Sequence, residues 1–345
     1  MAISTISKRW VKKVLMGAGA ARVAQRFGPP SAAILAYHSV QDYPEACADT
    51  IGINNIHSTA VFTRQMELLV RAFNPVALED VLLFAAGEKK LPPRSVAVTF
   101  DDGYADNYEI VAPLLNRFGI RGVFYVTVDA IGSESLPWAI RLRHAFRTTR
   151  LKAWPEPGNG RFFTLSNMDD RRRAFMVACG QCARLVDIAQ EQLVRSVETE
   201  LETAPPAAHG IMMNWAQVRR LHETGHTVGS HTLSHPNMAF VTEEEARHEF
   251  GESKRRLEEQ LGAPVRHFSY PHPALDPNYT QRTATMSRQA GFASGVTTVS
   301  APVRRGQDAS LLPRLYTLHD DNDFRWHLER SFFARGGGQS RSYGG

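Results

Sequence analysis

The strongest constraint on this chain is a rhythm. Short runs rich in β-branched and aromatic residues recur along it, each followed by a stretch with helical periodicity. Strands are expected at 32–37 (AAILAY), 95–100 (SVAVTF), 122–128 (GVFYVTV), 226–230 (HTVGS), 267–270 (HFSY) and near Ser294–Val299. Helices are expected at Phe62–Phe73, Asn107–Phe118, Trp215–Glu223, Glu243–Leu261 and Gln281–Ala290. The Glu243 helix is the clearest, with Thr242 as N-cap, Glu245 completing a capping box and Gly262 as the stop. Strands that alternate with helices pair in parallel through right-handed crossovers. Six or seven such units exceed a mononucleotide-binding half and suit a barrel. Residues 137 to about 210 break the rhythm with a polar loop (PEPGNGRFF) and one long helical stretch, Met168 to Glu202, so they read as a helical insertion after the third strand.

Composition narrows the class. With 43% hydrophobic residues in 345 and a formal net charge of +5, the chain is an ordinary globular one. Its longest apolar runs, such as VLLFAA and GVFYV, fall well short of the roughly 18 to 20 residues of a membrane-spanning helix. No zinc-finger spacing, RNP-like motif or basic stripe points to nucleic acid. Three cysteines cannot form a paired framework. Cys179 and Cys182 make a lone CxxC without partner ligands and read as helix packing.

The ends differ from the middle. Residues 1–30 form a basic amphipathic segment: Lys8, Arg9, Lys12, Lys13, Arg22 and Arg26 occur without an acid, and Trp10 and Val14 share an apolar arc. That pattern fits either a helix packed on the domain or peripheral contact with a membrane through residues 1–28. Its apolar stretch is too short for a secretory signal, so a cytoplasmic or membrane-peripheral location is expected. Residues 31–333 are expected to form the main domain, and 334–345 a disordered Gly- and Ser-rich tail.

The chemistry sits at the ends of predicted strands. SVAVTF runs into Asp101 and Asp102, HTVGS into His231 and the HTLSH segment, and HFSY into Pro271 and His272. In a βα barrel these ends line one face, so residues far apart in sequence converge there. Adjacent carboxylates closing an apolar strand raise each other's proton affinity unless something neutralises them, although an isolated DDG is also a common turn. His231 and His235, four apart, would share one face of a helical turn at a separation that suits one metal ion. Thr232 stands where the zinc-protease HExxH motif has its Glu, so the base must come from elsewhere. Asp102, His231 and His235 would form an open ligand set, leaving Asp101 to accept a proton.

In these segments the chain resembles the polysaccharide deacetylases with a NodB-homology domain. The resemblance spans roughly residues 31 to 320 and rests on YHSV (37–40), FTRQMELL (62–69), LPPRSVAVTFDDGYADNY (91–108), NWAQVRRLHETGHTVGSHTLSHPNM (214–238) and FSYPHP (268–273). It implies an α/β fold, a distorted (β/α)7 barrel, and removal of acetyl groups, usually N-acetyl, from amino sugars of a polysaccharide or glycan. It implies Asp101 as catalytic base and Asp102, His231 and His235 as ligands of one divalent metal ion. Zinc is the first expectation for that ion; cobalt, nickel or iron suit the same donors. Tyr270, Pro271 and His272 fall on a motif that lines the substrate and supplies an oxyanion contact, with His272 and Pro273 departing from its usual residues. A late Leu-x-His motif that supplies the general acid in many members is not cleanly kept, which leaves His319 and His38 as candidates. Two further readings stay open: a metal-dependent amidase of a small non-glycan molecule, and a NodB-like carbohydrate-binding module without turnover.

Overall fold

The computed structural model describes residues 30–158, 160–272 and 275–332. The basic segment 1–28 and the tail 334–345 lie outside the described residues.

Seven parallel strands build the core: β1 (Ser31–Tyr37), β2 (Ser95–Phe100), β3 (Gly122–Val126), β4 (Thr227–Ser230), β5 (His267–Ser269), β6 (Ser294–Val296) and β7 (Leu315–Tyr316). They pair in the order β6-β5-β4-β3-β2-β1-β7. Residues 312–316 then reach from one edge to the other. Leu315 and Tyr316 pair with Leu35 and Ala36 of β1, while Leu312 bridges Val296 of β6. The result is a distorted (β/α)7 barrel, as the alternation implied. It is irregular between β6 and β7, where a two-residue strand antiparallel to β1, Val303–Arg304, and a 3-10 turn, Ala309–Leu311, take the place of a helix.

The outer helices are α1 (Thr59–Ala72), α2 (Leu78–Ala85), α3 (Ala112–Arg117), α7 (Trp215–Glu223), α8 (Glu243–Leu261), α9 (Gln281–Gln289) and α10 (Asp321–Ser331). Local chemistry sets their limits. Ser58 caps α1, Asn214 forms a capping box with Gln217, and Thr242 forms one with Glu245. Gly262, at φ 61°, ends α8 in the left-handed conformation that costs glycine little. In β4, Gly229 is needed for space: a Cβ there would stand 2.5 Å from the Tyr125 ring, which fills the barrel interior.

The insertion contains α4 (Trp138–Thr148), α5 (Met168–Cys182) and α6 (Asp187–Glu200). The single helix expected from Met168 to Glu202 is therefore two. The chain turns at 183–186 and enters α6 with Asp187 at φ 51°. Gln190 donates to the Cys182 and Leu185 carbonyls, satisfying acceptors that the break leaves without helical partners. The three helices bury a core of their own that includes Trp138, Phe146, Trp154, Ala178, Cys179, Cys182 and Val197. Burial pushes both thiols up, Cys182 to about 12, so they remain protonated packing groups at neutral pH.

Candidate active site

At the end of β2 the Asp101 N–H donates to the Tyr37 carbonyl, continuing the pairing with β1. Asp102 then turns to φ 76° and Gly103 to φ 89°. Beyond β4, His231 still donates its N–H to Val126, but the next residues leave extended geometry, with Thr232 at φ 70° and His235 at φ 62°. The two imidazoles therefore do not share a helical turn. They converge through a loop in which a β-branched residue holds a left-handed conformation that normally disfavours it. The end of β3 joins both motifs: Thr127 N–H donates to Asp102 O, and the Val128 and Asp129 N–H groups donate to Thr232 O and Leu233 O.

This brings together one oxygen and two nitrogens. The donor atoms of Asp102, His231 and His235 lie within 4.8 Å of one another, and each Nε2 stands 3.5 Å from Asp102 Oδ1. His231 Nδ1 lies 2.8 Å from the Ser269 carbonyl, which fixes Nδ1 as donor and leaves the Nε2 lone pair facing Asp102. This anchored, convergent set fits a divalent ion with open positions. Burial pushes the Asp102 carboxyl up, but the two imidazoles more than reverse it, and the group lies well below its ordinary value. His231, buried yet facing both aspartates, is raised; His235, buried and facing His231 as well as Asp102, is lowered.

Asp101 lies beside this set, 3% exposed, in a bidentate pair with Arg314 at 2.8 and 2.7 Å. Arg314 also donates to Thr99 Oγ1, Ser269 Oγ and the Thr297 carbonyl. Burial pushes the Asp101 carboxyl up, while Arg314, His231 and His38 bring it below the ordinary value, so it is ionised at neutral pH. Sequence reasoning missed Arg314. Its one signal is a lone cation inside the apolar run LLPRLY, and its partner is 213 residues away.

The other candidates divide. His38, half-buried after β1, is close enough for its charge to lower both Asp101 and Asp102. Asn107 donates to its carbonyl at 2.8 Å, and Asp106 accepts from Ser39 Oγ, Val40 N–H and Gln41 Nε2, which fixes the segment that carries it. His319 is exposed, stacks on His57 at 4.3 Å and faces the Asn54 carbonyl. Tyr270 points inward. Its phenol is fully buried against Phe268 and Tyr279 and shares a hydrogen bond with Ser287, so its side chain packs in the core. Pro271 is also buried, while the half-exposed His272 pairs with Asp276 at 2.9 Å.

A barrel carrying an Asp-His-His set and a tethered aspartate on one face defines a class, and the comparisons with known proteins agree. The family model described as polysaccharide deacetylase matches residues 88–158 and 162–294, more than half of the chain. This protein belongs to the polysaccharide deacetylase family. A putative polysaccharide deacetylase, YxkH of Bacillus subtilis, is 32% identical over 56 residues; the match covers 16% of this chain and about a fifth, 20%, of that relative's length. Among solved structures, the Streptococcus pyogenes deacetylase PplD in complex with acetate superposes with a TM-score of 0.56 at 16% identity, over 88% of this chain and 99% of that one. IcaB from Ammonifex degensii gives 0.56 at 18%, over 89% and 99%. At these identities the likeness is one of fold.

Proposed function

We propose that this protein is a divalent-metal-dependent hydrolase that removes acetyl groups, N-acetyl groups of amino sugars in particular, from a polysaccharide or glycan. The observation that carries the reading is the convergence of Asp102, His231 and His235 beside a buried, ionised Asp101. Those three residues would hold the ion, zinc first by its affinity for this donor set, with cobalt, nickel or iron as substitutes. When bound, such an ion lowers the proton affinity of water and polarises an acyl carbonyl.

Asp101 takes the proton of the attacking water, and Arg314 holds both of its oxygens so that the carboxylate cannot swing away. His272 is half-exposed, and its backbone N–H would serve the developing oxyanion. His38 returns a proton to the leaving amine; its charge reaches the aspartate pair, whereas His319 is committed to His57. His38→Gln should therefore reduce kcat on the order of 10² to 10³-fold and His319→Gln less than about tenfold. Equal effects would remove this assignment.

The direct test is a mass-spectrometric screen of acetylated glycan oligomers, with and without a chelator. Loss of acetyl mass that the chelator abolishes is expected. Turnover only of small non-glycan amides would redirect the reading to an amidase, and binding without turnover would redirect it to a carbohydrate-binding module.

A further inference from the structure

The loop that carries both imidazoles is held by a residue outside every motif described above. Glu249 lies in α8, which packs Ala246, Phe250 and Leu257 into the barrel core. Its side chain is 1% exposed. One carboxylate oxygen accepts the N–H groups of Leu233 at 2.7 Å and Ser234 at 3.3 Å, and the other accepts the Ser234 hydroxyl at 2.6 Å. Among the described residues Glu249 forms no ion pair. All three of its contacts go to the two residues between left-handed Thr232 and left-handed His235.

That geometry has a cause. A left-handed residue makes the following N–H groups point the same way, producing a small concave site for an anion. Thr232 sets up this arrangement at Leu233 and Ser234, and Glu249 is the anion that occupies it. Thr232 contributes a second tie, since its hydroxyl accepts the His235 N–H at 3.0 Å. The helix is fixed against the same strand, with Ser253 Oγ 2.8 Å from Ser230 Oγ, so α8 and the loop form one unit. Without a carboxylate at 249 the two amides would lose their acceptor, and the loop would be free to relax toward ordinary backbone. The imidazoles would then separate.

We infer that Glu249 is a positioning residue for the metal centre, holding the 231–235 loop in the conformation that aims His231 and His235 at one point. The inference rests on the metal-dependent reading above, and the test separates the two. Zinc is titrated calorimetrically into chelator-treated wild type, Glu249→Ala and Glu249→Gln, with folding checked by circular dichroism. Glu249→Ala should bind zinc about 10- to 100-fold more weakly, the usual cost of losing an outer partner of a ligand. Glu249→Gln should stay within several-fold of wild type, because its amide oxygen still accepts both N–H groups and its NH2 donates to Ser234.

A folded Glu249→Ala protein with wild-type affinity overturns the inference, as does a Gln variant as weak as Ala. If Glu249→Ala does not fold, Ser234→Ala removes only the hydroxyl contact and should weaken zinc about two- to fivefold; unchanged affinity there also overturns it. A wild type that binds none of zinc, cobalt, nickel and iron(II) refutes the metal-dependent reading instead.

Discussion

The barrel and the inserted helices both bury charge, but they do so in different ways. In the insertion, Glu198 is covered by Arg141, whose Nε lies 2.9 Å away and whose Nη2 meets the second oxygen, while Nη1 reaches Glu191 at 2.6 Å. That is a charge matched by a charge inside a small core. At the barrel face, Asp106 is buried without a cation and receives neutral donors from residues 39–41 and Asn107. Asp102 faces two imidazoles and the Tyr104 hydroxyl rather than a permanent cation, and Thr232 and His235 keep disfavoured backbone angles. The insertion answers its buried arginine with carboxylates, whereas the barrel face holds Asp106 by neutral donors alone and gathers left-handed backbone where its ligand atoms meet. Such strain clusters at functional sites because surrounding structure enforces it there.

The two regions meet at the ligand loop. Trp138, part of the insertion core, donates its indole N–H to the His235 carbonyl at 3.3 Å, and the Asn237 N–H donates to the Ala183 carbonyl. The contrast can therefore be broken from either side.

The largest effect is expected at the barrel face. Asp101→Asn keeps the shape but cannot accept a proton, so kcat should drop on the order of 10² to 10⁴-fold with metal retained. Asp102→Asn should lose metal affinity, and excess metal should restore part of its activity. Metal content and kcat for both variants check this; an Asp101→Asn protein with near-normal kcat would reverse the roles.

Next comes the insertion. Arg141→Met leaves Glu198 buried without its cation, and urea unfolding should show a loss of about 3 to 5 kcal/mol. Zinc affinity and kcat per folded molecule should hold. A parallel loss of zinc affinity would show that the insertion shapes the site through Trp138.

A third measurement probes the buried carboxylate of the barrel face by pH. Burial pushes Asp106 up to about 6 despite its four donors, from an ordinary value of 3.8. A raised acid contributes stability that is full below pH 3.8 and is lost as pH rises through 6. The wild type should therefore lose on the order of 3 kcal/mol relative to Asp106→Asn across that window. Urea unfolding at pH 4 and pH 7 tests the sign; a stability difference independent of pH would contradict it.

The smallest effect concerns the basic N-terminal segment, which we propose contacts anionic membrane surface. Deletion of residues 1–28 should abolish flotation with anionic vesicles and leave kcat unchanged. Equal flotation of the full and shortened chains would argue against this.

Among the helices, α7, α8 and α9 were legible because their caps and apolar faces are local. Others escaped for physical reasons. α2 reads as a plain apolar run because it carries Leu83 on its exposed side as well as Leu78, Val81, Phe84 and Ala85 on its buried one, and β7 is two residues long. The break at 183–186 carries no proline or glycine; packing of α5 and α6 against α4 produces it. The family model's match begins at residue 88 and stops at residue 294, so His38 and Arg314 both fall outside it although they stand at the same face.

The sequence alone determined which side chains are the candidates for the chemistry, because TFDDGY and GSHTLSHP place carboxylates and imidazoles directly after strands whose ends must converge. Only the tertiary structure decided how they are held. Arg314 reaches Asp101 because residues 312–316 close the barrel, Tyr270 turns into the core, and the two imidazoles meet through left-handed backbone fixed by Glu249. These outcomes depend on contacts between segments distant in the chain, and no local pattern of residues encodes which distant partner a side chain will meet.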